Sequence, residues 1–264
     1  MRAFLAIIRV TIRQTLRLRR AIGLVILSGA ATAMYLLIIL ASRNSTGSLA
    51  GQRQDAIDAA VGLSASVFMN ILVPVVTLII ATSVLGDERR DNTMSFLVLR
   101  PIRRFNIGAA KVVAAVLEAF TVTGIGAASL GVLVAIKIHS FAWLVPLVVG
   151  AAIATAAYAA IFVPLGYLLK RATLIGLTYV FIWENGIVAA IPGLATLSPW
   201  RIGLSATAAL APAEFTEHIP TDFALGSLNP GAGGALAKAV IMGIAAAALV
   251  ASILRRRDLA GGSS

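Results

Sequence analysis

Glu118 and Glu184 stand inside long apolar stretches of this 264-residue chain. A carboxyl group in such surroundings either lines a polar route or bonds to a neighbouring segment. Placing its charge at the middle of a bilayer costs on the order of 3 kcal/mol, so neither side chain is expected to face lipid. Glu184 lies between Trp183 and Asn185, both able to hydrogen-bond, and Pro192 follows about two turns later. Two roles fit it: lining a translocation route together with Asn185, or bonding across to another helix and fixing the bundle. Glu118 follows Lys111 by about two turns, and its expected role is structural, either hydrated near an interface or paired with a basic residue.

Other chemistry lacks its parts. The two imidazoles, His139 and His218, fall in connecting segments, and no aspartate lies within an apolar stretch. A haem-bearing helix needs a histidine inside the bilayer, which is missing. Glu214, Glu217 and His218 imitate a metal cluster in spacing, but a solvated loop is the simpler reading. With zero Cys there is no disulfide framework, thiolate metal site or cysteine nucleophile. No Gly-x-x-x-x-Gly-Lys-Ser/Thr phosphate loop occurs, so the chain has no usual backbone nest for ATP. No catalytic residue is assigned, and the chain is not expected to be an enzyme.

The elements that must position these residues are apolar. Hydrophobic residues make up 59% and charged residues 12%, with a mean hydropathy of +0.94. The stretches Ala21–Ala41, Val61–Leu85, Val112–Ile136, Trp143–Leu169, Leu174–Leu194 and Leu236–Leu254 each approach or exceed the roughly 20 helical residues that cross a 30 Å hydrocarbon core. The expectation is an all-α polytopic membrane protein with six transmembrane helices, forming one transmembrane domain over 1–264. The first stretch is longer than a signal-peptide core and is followed by further spans, so it is read as a retained helix.

The net charge of +11 is a matter of topology. Grouping the amino terminus, Arg89–Lys111, Lys170–Arg171 and Arg255–Arg257 on one side leaves only Arg43, Arg53, Lys137, Arg201 and Lys238 on the other. The richer side is the cytoplasmic one, which places both termini there in a cell membrane; nucleic acid is not an expected partner. In 1–20, Phe4, Ile8, Ile12 and Leu16 share one helical face while Arg2, Arg9, Arg13, Arg17 and Arg20 gather opposite. This predicts an interfacial helix that enters the acyl boundary and meets anionic headgroups, forming an elbow before the first span.

Segment 86–111 is the most polar cytoplasmic piece, yet Met94, Phe96, Leu97, Val98 and Leu99 are too apolar for a freely solvated loop. Thr93 can cap a short helix and Pro101 can end it. The apolar side chains must pack on the membrane surface, a cytoplasmic partner or the bundle itself. Beyond Pro192-Gly193, the region 195–235 is partly apolar and is broken by Pro199-Trp200-Arg201. Irregular backbone at membrane depth is tolerated only when buried in protein or lining a cavity, so a re-entrant or outer-leaflet helical pair is expected here.

Asp87, Glu88, Asn92, Thr93, Met94–Leu99, Arg100, Pro101, Arg103, Arg104 and Lys111 together resemble the cytoplasmic coupling segment of type 2 ATP-binding cassette (ABC) exporter permeases. Asn92 stands where a Gly is usual, and Asn tolerates the left-handed turn better than most residues. Trp183-Glu184-Asn185, Ile191-Pro-Gly-Leu, Leu197-Ser198 and the basic carboxyl end extend the resemblance over essentially the whole chain. The resemblance implies a homodimeric or heterodimeric permease whose coupling helices, through Thr93, Met94, Phe96, Leu97, Leu99 and Pro101, sit on two ATPase subunits that bind ATP and Mg. The permease itself would hold no cofactor. A nucleotide-independent channel or secondary transporter, or a membrane anchor for a cytoplasmic complex, are the alternatives.

Overall fold

The computed structural model describes residues 2–15, 18–42, 48–90, 103–187, 196–219 and 230–260, and among them every regular element is helical. The residues expected to contact an ATPase, Thr93, Met94, Phe96, Leu97, Leu99 and Pro101, lie outside the described residues, as do Pro192 and Gly193.

Helix α1 (Arg2–Thr15) precedes α2 (Leu18–Ser28) and α3 (Ala30–Ala41). Gly29, in helical geometry, joins the latter two into the apolar run Ala21–Ala41. Helix α4 (Leu49–Gly62) passes through a π-helical segment, Leu63–Leu72, into α5 (Val73–Arg90). Helix α6 is Arg104–Ile138 and α7 is Leu144–Leu168. Helix α8 (Ala172–Thr178) continues as a second π-helical segment, Tyr179–Ile187. Two shorter helices, α9 (Pro199–Leu210) and α10 (Ala213–Glu217), lead to α11 (Gly231–Ala260).

Five of these runs are long and apolar enough to cross a membrane: Ala21–Ala41, Gly51–Glu88, Arg104–Ile138, Phe141–Leu168 and Gly231–Arg255. The remaining expected span, Leu174–Leu194, is represented by α8 and its π-helical continuation. Its described part, 172–187, is helical throughout, and 188–195 lie outside the described residues. Several helices outrun the apolar stretches that announced them. Ser48 caps α4 by accepting a hydrogen bond from the Gly51 N–H at 3.1 Å, so the polar turns before Val61 are already helical. Helix α6 begins at Arg104 rather than near Val112, since Lys111 is buried in partnership and does not interrupt it.

The π-helical segment before α5 has a local cause. Pro74 offers no N–H to the Asn70 carbonyl four residues earlier, and its ring crowds that carbonyl, so the helix widens over the preceding residues. Helix α6 ends cleanly: His139 adopts the left-handed conformation (φ 55°, ψ 37°), and the Ser140 N–H closes the cap on the Ala135 carbonyl at 3.1 Å.

Helices α5, α6 and α7 form the centre, with α2–α3, α9 and α11 packed around them. Small residues set the closest crossings. A Cβ at Gly126 of α6 would lie 2.8 Å from the Ser28 carbonyl oxygen of α2. At Gly150 of α7 it would fall on the Thr207 hydroxyl of α9 and 2.8 Å from the Gly203 carbonyl oxygen. Helix α9 is consequently enclosed, with Pro199, Trp200 and Ile202 through Ala208 all buried.

The amphipathic amino-terminal segment is helical, and the face expected to enter the acyl boundary is instead held against protein. Ile8, with Phe4, Ile7 and Ile12 around it, packs on Ala110 and Ala114 of α6. Alanine at both positions lets the helix approach. Leu5 and Val10 remain exposed on α1 and are the side chains free to meet lipid.

Candidate functional site

Glu184 sits in the π-helical continuation of α8 and is 2% exposed. The Ser198 hydroxyl donates to its Oε2, and the Tyr179 hydroxyl donates to its Oε1 at 3.2 Å. Ser198 is the residue immediately before α9, where serine commonly caps the helix; here its side chain makes no capping bond and its hydroxyl donates a hydrogen bond to the carboxyl group instead. The buried Tyr158 hydroxyl of α7 lies near the same group without a hydrogen bond to it, and Arg201 supplies positive charge nearby while its guanidinium lies 5.0 Å from the Trp200 ring centroid. Residues from α7, α8 and α9 therefore meet on one carboxyl.

An aromatic column runs beside that cluster. Tyr158 stacks on Phe162 at 5.6 Å, Phe162 meets Tyr179 edge-on at 6.1 Å, and Tyr179 stacks on Trp183 at 6.4 Å. Asn185 points elsewhere. Its Oδ1 accepts from Asn70 Nδ2 at 2.6 Å, and its own Nδ2 donates to the Val180 carbonyl at 3.0 Å. Asn70 and Asn185 both belong to π-helical segments, so the two widened turns are joined by one amide pair. Widened turns of this kind occur often at functional sites.

A second cluster brackets the segment expected to couple to a partner. The Lys111 ammonium of α6 donates to Glu88 Oε1 near the end of α5, and also to the Thr11 hydroxyl of α1 at 2.8 Å. Lys111 is 1% exposed and Glu88 8%. The base of 86–111 is thus pinned at both ends, and the amino-terminal helix is tied to the same point. Glu118, expected to be hydrated or paired with a base, is 3% exposed, so protein rather than water surrounds it.

On the face expected to be external, His218 meets Gln54 through Nε2, its Nδ1 lies 2.5 Å from the Glu214 carbonyl oxygen, and Asp58 Oδ1 is 3.6 Å away. Arg53 pairs with the Glu214 carboxylate at 3.2 Å. Glu214, Glu217 and His218 do not converge, and among the described residues no three ligand-type side chains form a metal cluster. The cluster serves to fasten α10 to α4.

Sequence reasoning singled out Glu184 and Asn185, which the fold places side by side but aims at different neighbours. Glu88, Lys111 and Ser198 entered only as residues that carry the family resemblance, with no bonding role, and Asn70 and Thr11 were not noted. Asn70 carried the clearest signal, since it is a lone amide within an apolar stretch and such a side chain seeks a partner. Comparison with known proteins adds one finding: a family model described as ABC-2 family transporter protein matches residues 15–185, well over half of the chain. No curated protein matches the sequence.

Proposed function

The chain belongs to the ABC-2 transporter family, and from that membership we propose that it is the membrane-spanning subunit of an ATP-driven exporter whose ATP is hydrolysed by a separate polypeptide. As a permease component of that family it is a multi-pass membrane protein with several apolar helices. In the proposed assembly two permease copies stand on two ATPase subunits that bind ATP and Mg, and both termini face the cytoplasm of a cell membrane. Segment 86–111 docks on the ATPase through Thr93, Met94, Phe96, Leu97, Leu99 and Pro101.

The observation that most supports this reading is the buried Lys111–Glu88–Thr11 cluster. A coupling segment transmits force only if its ends are fixed to the helices it must move. Here the beginning of the segment is fixed to the start of the next long helix, and α1 is fastened to both. When nucleotide draws the ATPases together, the segment would shift as a unit with α5 and α6. The nucleotide drives this only by binding one conformation better than the other.

In the same reading Glu184 is a bridge more than a lining residue. Its bond to Ser198 supports a role in anchoring α9, proposed as the re-entrant outer helix, to the fifth span, while the bond from Tyr179 lies within that span. Exposed on the same span are Asn185 and Gly186, where a second copy or a substrate would meet it.

The test is replacement of Phe96 and Leu97 together with Ser. Buried apolar anchors of this kind can each contribute more than about 1 kcal/mol to binding. The expected outcome is weaker recovery of the ATPase in a pull-down, or hydrolysis uncoupled from transport in reconstituted vesicles, with insertion of the helices unchanged. Arg100, Arg103 and Arg104 should matter less, because anionic headgroups satisfy them. Normal recruitment and coupling in the double variant would favour a channel that needs no nucleotide.

A further inference from the structure

A cavity of about 550 Å³ opens between the end of α5 and the turn that joins α7 to α8. Two glycines stand in its wall and set the helix crossing there. Gly166 brings α7 against the α5 backbone, since a Cβ there would lie 2.5 Å from the Thr82 carbonyl oxygen; at Gly86 a Cβ would meet nothing nearer than the Gly166 carbonyl oxygen at 3.4 Å. The volume falls within the roughly 300–1,000 Å³ of small-molecule pockets.

The lining carries both signs of charge. Lys170 and Arg171, both exposed, face the cavity from the turn, and the half-buried Asp87 faces it from α5. Thr173 adds a hydroxyl, 3.4 Å from that of Thr82. From the rim an apolar stripe continues along α8 and its extension: Leu174 is 61% exposed, and Leu177 and Phe181 follow at helical spacing, also exposed. The turn belongs to the basic side of the protein, at the level where Lys and Arg meet lipid headgroups.

We propose that this cavity binds the headgroup of a zwitterionic phospholipid of the phosphoethanolamine type from the cytoplasmic leaflet. The phosphate lies against Lys170, Arg171 and the Thr173 hydroxyl, the ammonium against Asp87, and an acyl chain follows Leu174, Leu177 and Phe181. A carboxylate offers several acceptor positions, so Asp87 can take an ammonium in addition to its contacts within the protein. It also disfavours headgroups that carry only negative charge. The site does not rest on the exporter reading, since a channel or an anchor with this bundle would hold the same lipid.

The test is lipid retention by the intact assembled protein, taken from nanodiscs of equal phosphatidylethanolamine and phosphatidylglycerol into detergent and weighed by native mass spectrometry. Wild type is expected to retain phosphatidylethanolamine preferentially. Lys170→Gln with Arg171→Gln should reduce retention of both lipids by about tenfold, the scale of one lost charged hydrogen bond. Asp87→Asn should abolish the preference between them, and Gly86→Leu, which adds bulk to the cavity wall, should lower retention of both with every charge in place. If Gly86→Leu does not assemble, the exposed turn variants still decide the matter. Equal retention of the two lipids by wild type, or wild-type retention in the double turn variant, overturns the proposal. Soluble O-phosphoethanolamine distinguishes the source of the ligand: its failure to displace the lipid at millimolar concentration supports a membrane lipid, and tight binding of it in the absence of lipid overturns that assignment.

Discussion

Glu184 accepts hydrogen bonds from two hydroxyls, Tyr179 on its own segment and Ser198 at the start of α9, and the surroundings of those bonds determine what their loss does. Side-chain bonds between helices in a membrane protein average about 0.6 kcal/mol and reach about 1.7, because partners are also found in the unfolded state. Glu184→Ala and Ser198→Ala are therefore each expected to lower the stability of the detergent-purified protein. The double variant should lose less than the sum of the two, by about 0.6–1.7 kcal/mol. Strict additivity in a thermal-unfolding cycle would remove the bridge. Glu184→Gln keeps an acceptor for Ser198 and should assemble nearly normally; altered transport in that variant would assign the residue to the route as well. Lys111 carries higher stakes. Lys111→Met leaves Glu88 charged and buried, which costs about 3–5 kcal/mol, whereas Lys111→Met combined with Glu88→Leu should recover most of the assembled protein. Yield of folded protein from the two variants in parallel checks this, and equal losses from both would place the importance of Lys111 elsewhere.

Among the elements, α9 depends on how closely α7 lets it approach. Gly150→Ala places a methyl group onto the Thr207 hydroxyl and should cost about 1–3 kcal/mol. Gly243→Ala in α11 meets nothing within 4 Å and should be tolerated or slightly stabilising, as helix propensity alone would have it. Melting temperatures of the two variants separate a specific crossing from general sensitivity to lost glycine, and similar values for both would refute the close packing. The contrast also marks where the sequence was legible. Apolar length announced the long helices, because about 20 residues of low polarity have few alternatives in lipid. It did not announce their polar extensions, since helical residues beyond the hydrocarbon, such as Gln52–Asp58 behind the Ser48 cap, carry no hydropathy signal. Pro199-Trp200-Arg201 read as a break in the sequence, but Pro199 opens α9 at its first turn, where a missing N–H costs nothing, and Trp200 is buried. The partners of Glu184 and Lys111 were not legible, because Ser198 and Thr11 are ordinary in type and distant in sequence, and only the packing of helices brings them together.

At the scale of the whole molecule the charge asymmetry and the family membership carry the account. Tags at residues 1 and 264 and a cysteine introduced at Thr93 are expected to resist labelling from outside intact cells, and strong outside labelling of any of them would reverse the orientation. The central claim is that this bundle is one part of a larger machine, moved by subunits that hydrolyse ATP. The coupling role given to Thr93, Met94, Phe96, Leu97, Leu99 and Pro101 depends on it. The most direct measurement is purification of the protein from its native membrane in mild detergent, with the bound subunits identified and their copy number determined by native mass. The account predicts two permease copies with two copies of a subunit that carries a phosphate-binding loop. A stable, transport-competent permease recovered with no ATP-hydrolysing partner would contradict it.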